Sequence, residues 1–382
     1  MPRIGKRHVL FLAALGASVL VSEIALRLLT PLPLREFAEA TWDPHLLYRV
    51  PEFLGANANG FRERSDEQTA AIAAIGDSFT FGQGVDASKS WPDLLEASSG
   101  KSVYNYAAPS YNFYQYFYLA TQALDLGAEE IIIGFYPAND LRLQVCQVLE
   151  LDYWRDFMAE EGLDPSGCAE PEKNFEDFKK AEGVGVTYGL TTWGIDHSAL
   201  FCLFYAATTN LRRAALPYDE NQFVFAGGLP FAKSRMKYRI YQTDLENELI
   251  QASYRNSQKL FLKLRDRAAA RGARFMVLLI PTKFQVARDF LREQGEPVPE
   301  LLEASAASVQ RLEDAYLVFF RENGIAALSA AEQLGSRFRA SMGEGNDFYP
   351  RDDEHPREEG YAAIAEAAME LRKLSRAMAL SR

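Results

Sequence analysis

Ser78 is the residue with the clearest potential for covalent chemistry. It ends a Gly-Asp-Ser turn that directly follows the apolar run of residues 72–75. An uninterrupted apolar run of this length predicts a buried strand of a parallel sheet, and ligands gather where such strands end. The pattern therefore puts Ser78 where a nucleophile would stand, although Gly, Asp and Ser are also common in ordinary turns.

A serine hydroxyl needs a base to take its proton, and a histidine base needs a carboxylate to orient it. His355 lies in a polar loop near the C-terminus and is the predicted base. Asp352, three residues earlier, is the predicted orienting residue, and Asp353 is the competing candidate. His197 lies in an irregular aromatic stretch, where a structural or substrate-contacting role is favoured over catalysis.

Strands and helices alternate along most of the chain, which predicts βαβ crossovers and a parallel sheet covered on both faces. The predicted fold class is α/β, a three-layer α/β/α doubly wound parallel sheet over residues 69–382. The predicted strands cover residues 69–75, 102–107, 130–136, 275–281 and 325–328. The predicted helices cover residues 91–96, 112–126, 244–271, 300–322 and 357–378.

Residues 1–30 differ in composition from the rest of the chain. Basic residues precede the apolar stretch 9–29, which predicts a signal-anchor helix that keeps the protein at the membrane. The alternatives are a cleaved signal peptide and a buried soluble helix. The positive-inside rule predicts that everything after residue 29 is exported, to the periplasm or the cell surface. Residues 31–68 are predicted to be an extended lead-in.

Composition excludes several classes of function. The formal charge of −11 and the absence of a basic stripe argue against nucleic-acid binding. Three cysteines with no C-x-x-C pair argue against a zinc ribbon or a thioredoxin-like site. No metal cluster is evident, and no cofactor is expected. Cys146 and Cys168 could form a disulfide in an exported protein, and the sequence leaves that pairing open.

Polar residues at successive strand ends resemble the four ordered blocks of the SGNH/GDSL hydrolases, specifically the membrane-anchored, exported bacterial type. The resemblance spans roughly residues 70–366, apart from an insertion at 141–243. It rests on the Gly-Asp-Ser turn that ends at Ser78, on Asn105 with its loop to Ser110, on Asn139-Asp140, and on Asp352-x-x-His355. The resemblance implies a flavodoxin-like SGNH hydrolase fold.

The resemblance also implies roles for individual residues. Ser78 would be the nucleophile, with His355 as general base and Asp352 as its orienting carboxylate. The oxyanion hole would combine the backbone N–H groups of Ser78 and Ser110 with the side-chain amide of Asn139. Ser110 stands where the family has glycine, and this departure leaves the donor at that position open.

These residues predict a serine esterase or acyl hydrolase, with O-acyl groups of an envelope polysaccharide as one candidate substrate. An O-acyltransferase would use the same triad, and a non-catalytic glycan-binding envelope protein is the alternative from another class. A nucleotide-binding protein is disfavoured because Asp77 would repel a phosphate. The predicted partners are an acylated small molecule or glycan and, through the N-terminal helix, the membrane.

The insertion at 141–243 is rich in aromatic residues that follow neither a helical nor an alternating period. Aromatic faces stack on sugar rings and cover clefts, so we hypothesise that this insertion forms one wall of the substrate cleft. A small satellite core under a long loop is the alternative. The aromatic residues concerned are Tyr153, Trp154, Tyr188 and Trp193.

Overall fold

The structure, a computed structural model, describes residues 16–26, 41–52, 55–168, 198, 200–201, 204, 222–227, 229–343, 348–350 and 353–380. The chain divides into two compact units. One comprises residues 41–171 and 218–382 and contains the predicted catalytic residues, and the other comprises residues 1–40 and 172–217.

In the smaller unit, residues 16–26 form a helix. The Glu23 carboxylate on this helix accepts hydrogen bonds from the Ser198 hydroxyl at 3.0 Å and from the Leu200 N–H at 2.9 Å. Among the described residues, no helix combines the length and the apolar character that crossing a membrane requires. The remainder of the predicted anchor, residues 9–15 and 27–29, lies outside the described residues.

The larger unit is built on a five-stranded sheet whose strands are all parallel. The strand order is β4-β3-β5-β8-β9, which is the doubly wound, flavodoxin-like order and confirms the predicted fold class. The strands of this sheet are β3 (Ile72–Gly76), β4 (Val103–Ala107), β5 (Glu130–Phe135), β8 (Arg274–Leu279) and β9 (Ala326–Ser329).

Helices cover both faces of this sheet, so the strands are apolar throughout. Helices α2 and α11 pack on one face, and α3, α7 and α9 pack on the other. Helices α8 and α10, which follow the last two strands of this sheet, are not among the helices predicted from the sequence. The helices are α1 (Ser78–Phe81), α2 (Trp91–Ser99), α3 (Phe113–Asp125), α4 (Val145–Leu149), α5 (Asp152–Glu161), α6 (Lys233–Gln242), α7 (Glu248–Ala270), α8 (Lys283–Glu293), α9 (Glu300–Glu322), α10 (Ala331–Gly343) and α11 (Glu358–Leu380).

The register of the three neighbouring strands brings their carboxyl ends together. Gly76 of β3 lies opposite Ala107 of β4 and Gly134 of β5. A Cβ on Gly76 would lie 2.1 Å from Thr80 Oγ1 and 2.8 Å from the Gly134 carbonyl oxygen, so no larger residue fits there. The loops that follow these strands therefore begin at one edge of the sheet.

The segment at 31–68, predicted to be an extended lead-in, contains an antiparallel pair of short strands. They are β1 (Thr41–Asp43) and β2 (Leu47–Arg49). The turn between them packs against the rest of the larger unit, because the Gln115 side chain donates to the Leu46 carbonyl at 2.7 Å. The Trp154 indole N–H donates to the His45 carbonyl, also at 2.7 Å.

The insertion has regular structure where it is described. It contains α4, α5 and α6 together with the antiparallel strands β6 (Phe223–Ala226) and β7 (Leu229–Ala232). Cys146 and Cys168 form a disulfide with a Cα–Cα distance of 5.4 Å, so the pairing that the sequence left open is present.

The cleft-wall hypothesis is wrong for Trp154. This side chain has no exposed surface and packs edge-on against Tyr114 of α3, with ring centroids 5.2 Å apart. A fully buried indole cannot stack on a sugar, so Trp154 belongs to a satellite core. Tyr188 and Trp193 lie outside the described residues.

Candidate active site

Ser78 and His355 are 277 positions apart in the sequence and in contact in the structure. Ser78 Oγ lies 2.7 Å from His355 Nε2. Ser78 opens the short helix α1 directly after β3, and His355 lies in the loop before α11. The strand end and the C-terminal loop thus bring together the predicted nucleophile and its predicted base.

The carboxylate that orients His355 belongs to Asp353. Asp353 Oδ1 lies 2.6 Å from His355 Nδ1 and accepts the His355 backbone N–H at 3.1 Å. The competing candidate therefore holds the position that the spacing assigned to Asp352, and Asp352 itself lies outside the described residues. A separation of two residues is enough for this contact, because the Asp353 carboxylate reaches both the backbone N–H and the ring Nδ1 of His355.

The charge state of Asp353 suits this arrangement. Burial alone would raise the pKa of the Asp353 carboxyl. The hydrogen bonds from His355 and the charge on that ring outweigh burial and bring the pKa down to about 2. The carboxylate is therefore ionised at neutral pH and holds the imidazole proton on Nδ1. With the proton there, Nε2 is an acceptor for the Ser78 hydroxyl.

Asp77 is a structural residue of the turn. Its side chain caps α1 by accepting the Phe79 N–H at 2.9 Å, and it has no exposed surface. Burial raises the pKa of Asp77 to about 6, although the Phe79 hydrogen bond, the nearby His355 and the Asn139 side chain act in the opposite direction. This carboxyl keeps α1 in place, and its burial makes its own ionisation costly.

Ser110 adopts a backbone conformation that is unusual for a residue with a side chain. Its φ is +68°, in the left-handed region, where glycine is usually found. The preceding residue, Pro109, accepts a hydrogen bond from the Tyr48 hydroxyl. Tyr48 belongs to β2, and its carbonyl accepts the Tyr111 hydroxyl at 2.7 Å. Strand β2 therefore fastens the Ser110 loop on both sides, so this serine is held in a conformation that side chains rarely adopt.

Asn139 follows β5 in a turn that is fixed from within. Its backbone N–H donates to the Tyr136 carbonyl at 3.2 Å. The next residue, Asp140, accepts the Tyr136 N–H at 2.8 Å and the Tyr116 hydroxyl at 3.0 Å. Asn139 is 8 % exposed, so its side chain is held close to Asp77 at the same edge of the sheet as Ser78.

Of the other histidines, His45 is the one that lies among the described residues, and it takes no part in this cluster. His45 stacks on Tyr118, with ring centroids 4.7 Å apart, whereas His8 and His197 lie outside the described residues. No group of His, Cys, Asp or Glu with the arrangement of a metal site occurs in the described part of the chain.

Several residues that shape the site carry no motif in the sequence. Arg62 donates to the carbonyls of Gly82 and Val85, each at 2.6 Å, and so holds the segment that follows α1. Arg239 and Glu354 form a buried ion pair with Nε–Oε2 at 3.1 Å, next to the His355 loop. Each of these residues lies in a stretch that is rich in charged side chains, so nothing in the sequence singles it out from its neighbours.

A cavity of about 650 Å³ lies between the segment that follows α1 and the loop that carries His355. Most of its lining is polar or charged. The lining residues are Gly84, Val85, Asp86, Phe348, Arg357, Glu358 and Glu359. A space of this size and polarity suits a hydrophilic group better than a long acyl chain.

No family model and no curated protein matches the sequence. Among solved structures, the chain is similar to a proposed lipolytic protein of the G-D-S-L family from Desulfitobacterium hafniense DCB-2. The identity is 12% and the TM-score 0.37, and the alignment covers 78% of this chain and 98% of that one. A similarity at this level establishes no activity, so the functional reasoning below rests on the geometry of the site.

Proposed function

We propose that this protein is a serine acyl hydrolase that cleaves esters through Ser78, His355 and Asp353. The observation that carries the proposal is the unbroken chain of contacts from Ser78 Oγ to His355 Nε2 at 2.7 Å and from His355 Nδ1 to Asp353 Oδ1 at 2.6 Å. This is the spacing that transfer of a proton from nucleophile to base requires.

The reaction then proceeds in two steps. Ser78 Oγ attacks the ester carbonyl while His355 Nε2 accepts its proton, and the imidazolium that forms is stabilised by the Asp353 carboxylate. His355 returns the proton to the departing alcohol, which leaves Ser78 acylated. Water, deprotonated by the same nitrogen, releases the acid and restores the hydroxyl.

The negative charge that develops on the carbonyl oxygen needs hydrogen-bond donors placed in advance. The donors we propose are the backbone N–H groups of Ser78 and Ser110 and the side-chain amide of Asn139. Supporting this, all three follow the adjacent strands β3, β4 and β5, whose carboxyl ends are in register. The positive φ of Ser110 gives it the backbone conformation of the glycine it replaces.

The polar cavity beside the His355 loop favours a hydrophilic alcohol over a lipid as the group released. We therefore propose O-acyl groups on a glycan, such as an envelope polysaccharide, as the substrate class. An O-acyltransferase would use the same residues, with a sugar hydroxyl in place of water in the second step.

The disulfide between Cys146 and Cys168 supports an extracytoplasmic location for the larger unit, because such bonds persist in oxidising compartments. Membrane attachment through residues 9–29 is part of the same proposal.

The test is hydrolysis of p-nitrophenyl acetate by the full chain and by Ser78→Ala. We expect turnover by the natural protein and none above background by the variant, with little change in melting temperature, since the substitution removes a single hydroxyl group. Adding an oligosaccharide acceptor separates the two enzyme classes, because a transferase yields acylated sugar and a hydrolase yields only acetate. Equal rates with and without Ser78 would contradict the assignment of the nucleophile, and no turnover at all would contradict the proposal and favour a glycan-binding protein.

A further inference from the structure

Glu354 separates the two residues of the triad that lie in the C-terminal loop, and its side chain points the other way. Its carboxylate is 6 % exposed. It accepts the Tyr136 hydroxyl at 2.9 Å and the Arg239 Nε at 3.1 and 3.2 Å. Asp353 and His355 flank it in the chain, so holding Glu354 holds the backbone from which both of them project.

Arg239 reaches this carboxylate from α6, inside the insertion, and is itself 7 % exposed. Its Nη1 donates to the Ala138 carbonyl at 3.3 Å and to Gln242 Oε1 at 2.6 Å. Ala138 directly precedes Asn139. One guanidinium therefore ties the loop of the proposed base to the loop of the proposed oxyanion donor.

Aromatic rings extend the connection to the nucleophile. The Arg239 guanidinium lies 5.2 Å from the centre of the Tyr136 ring. Tyr136 packs on Phe79, the residue after Ser78, with ring centroids 4.2 Å apart, and Phe79 packs on the His355 ring at 4.5 Å. All three loops of the site thus contact a single buried cluster.

We propose that Arg239 and Glu354 are positioning residues that hold the His355 loop and the Asn139 loop in register with Ser78. The proposal rests on the proposed function for its kinetic consequences. It also assigns a role to the insertion. Through Arg239 on α6, this segment holds the His355 loop and the Asn139 loop in place. The charges fit, because burial disfavours the ionised form of Glu354, and the charge and hydrogen bonds of Arg239 nevertheless hold the pKa of that carboxyl below its usual value.

The competing explanation is that the pair only stabilises the fold. Removing one partner cannot separate the two, because it leaves the other as an unpaired buried charge and destabilises any protein. Replacing both partners with neutral residues of similar size removes that penalty. The informative variant is therefore the double substitution Arg239→Met/Glu354→Gln.

The chain offers a matched control for this variant. Glu130, at the start of β5, and Arg372, on α11, form a second buried pair with Nε–Oε2 at 2.6 Å and Nη2–Oε1 at 3.0 Å. They are 0 % and 4 % exposed. This pair lies at the amino end of the same strand whose carboxyl end leads to Tyr136. Arg372→Met/Glu130→Gln changes the same chemistry away from the triad.

The measurements are melting temperature, kcat and KM for p-nitrophenyl acetate. For Arg239→Met/Glu354→Gln we expect kcat to fall about 100-fold while KM stays within about threefold, because misplaced groups slow the chemical step more than binding. Arg239→Lys should have a kcat between those of the double variant and the natural protein. A lysine ammonium lacks the planar guanidinium that lets Arg239 donate to both Glu354 and the Ala138 carbonyl. The control pair should keep wild-type kcat. A folded double variant with wild-type kcat would overturn the proposal.

Two further measurements keep the test decisive. If the double variant does not fold, Tyr136→Phe removes one hydrogen bond to Glu354 and keeps the ring on Phe79. A fall in kcat at constant KM supports positioning, and unchanged kcat contradicts it. The downfield NMR signal of the His355 Nδ1 proton, identified by its loss in His355→Gln, needs no activity. We expect it to disappear in Arg239→Met/Glu354→Gln and to persist in the control pair. An unchanged signal overturns positioning, whereas an inactive natural protein that shows these NMR changes contradicts only the proposed function.

Discussion

The buried acid at the amino end of β5, Glu130, and the buried acids in the turns after β3 and β5, Asp77 and Asp140, lie in opposite electrostatic situations. At the amino end, burial raises the pKa of Glu130, but hydrogen bonds and charge from Arg372 and Arg274 lower it overall. At the carboxyl end, burial dominates. It raises the pKa of Asp77 to about 6 and that of Asp140 well above its usual value.

The difference separates the part of the sheet that stabilises the fold from the part that carries the proposed active site. At the amino end, arginines compensate the buried carboxylate, as a structural ion pair requires. At the carboxyl end, Arg239 pairs with Glu354, whereas Asp77 and Asp140 accept hydrogen bonds from N–H and hydroxyl groups, and Asp77 Oδ2 has no hydrogen-bond partner among the described residues. Such under-compensated groups are typical of functional sites, where stability is given up for a fixed geometry.

The largest effect should come from the orienting carboxylate. Asp353→Asn keeps the size of the side chain but favours the wrong imidazole tautomer, so we expect kcat for p-nitrophenyl acetate to fall about 10⁴-fold. Asp352→Asn is the matched control and should leave kcat near the wild-type value. If Asp352→Asn had the lower kcat, Asp352 would be the orienting carboxylate, and the contact between Asp353 and His355 Nδ1 would have no catalytic role.

At the amino end of β5 the expected effect is on stability alone. Glu130→Gln leaves Arg372 buried and without its counter-charge, so we expect the free energy of unfolding to fall by about 3–5 kcal/mol. Urea denaturation measures this, and the folded fraction should retain wild-type kcat. Glu129→Gln, on the exposed neighbour, should change little. A loss of kcat in folded Glu130→Gln would mean that the two ends of the strand are not independent.

The proposed oxyanion donor gives the next effect in size. We expect Asn139→Ala to lower kcat by about 10²–10³-fold with little change in KM, because the amide acts on charge that appears only in the transition state. Asn256→Ala is the control, since that buried amide on α7 bonds Tyr114 and the Asp164 carbonyl. It should lower the melting temperature and spare kcat. If Asn139→Ala raised KM alone, Asn139 would be a ground-state binding residue.

Asp77 should make stability depend on pH in a direction opposite to that of Glu130. Between its ordinary value of 3.8 and about 6, folded Asp77 keeps a proton that the unfolded chain releases. Stability therefore falls as pH rises through this window, by about 3 kcal/mol in total. Asp77→Asn retains the cap on α1 and removes the titratable group, so its stability does not change with this ionisation. The free energy of unfolding of Asp77→Asn, measured relative to that of the natural protein, should therefore increase from pH 4 to pH 6. Asp86→Asn, on an exposed side chain, is the control, and parallel curves for both variants would contradict the assignment.

Much of the sheet follows from local pattern, which is why the sequence predicts it. The five strands are continuous apolar runs, and the predicted bounds differ from the observed ones by a few residues at most. Ser78 and Asn139 directly follow such strands, so their placement at one edge needed only the rule for parallel sheets. Helix α8 could also have been found, because Thr282 and Gln285 form a capping box at its start.

The remainder depends on contacts between distant parts of the chain. The contact of Asp353 with His355 belongs to a loop whose next residue, Glu354, binds Arg239, 115 positions away. The burial of Trp154 depends on the turn between β1 and β2, whose His45 carbonyl accepts its indole N–H. No local period encodes either contact.

The most direct test of the account is to locate the residue that a fluorophosphonate probe modifies. The full chain is treated with the probe at neutral pH, digested, and its peptides are identified by mass spectrometry. We predict a single adduct on Ser78, absent in Ser78→Ala and formed far more slowly in His355→Gln, where the base is missing. An adduct on another serine, or no adduct on the folded protein, would contradict the claim that Ser78 is a nucleophile activated by His355.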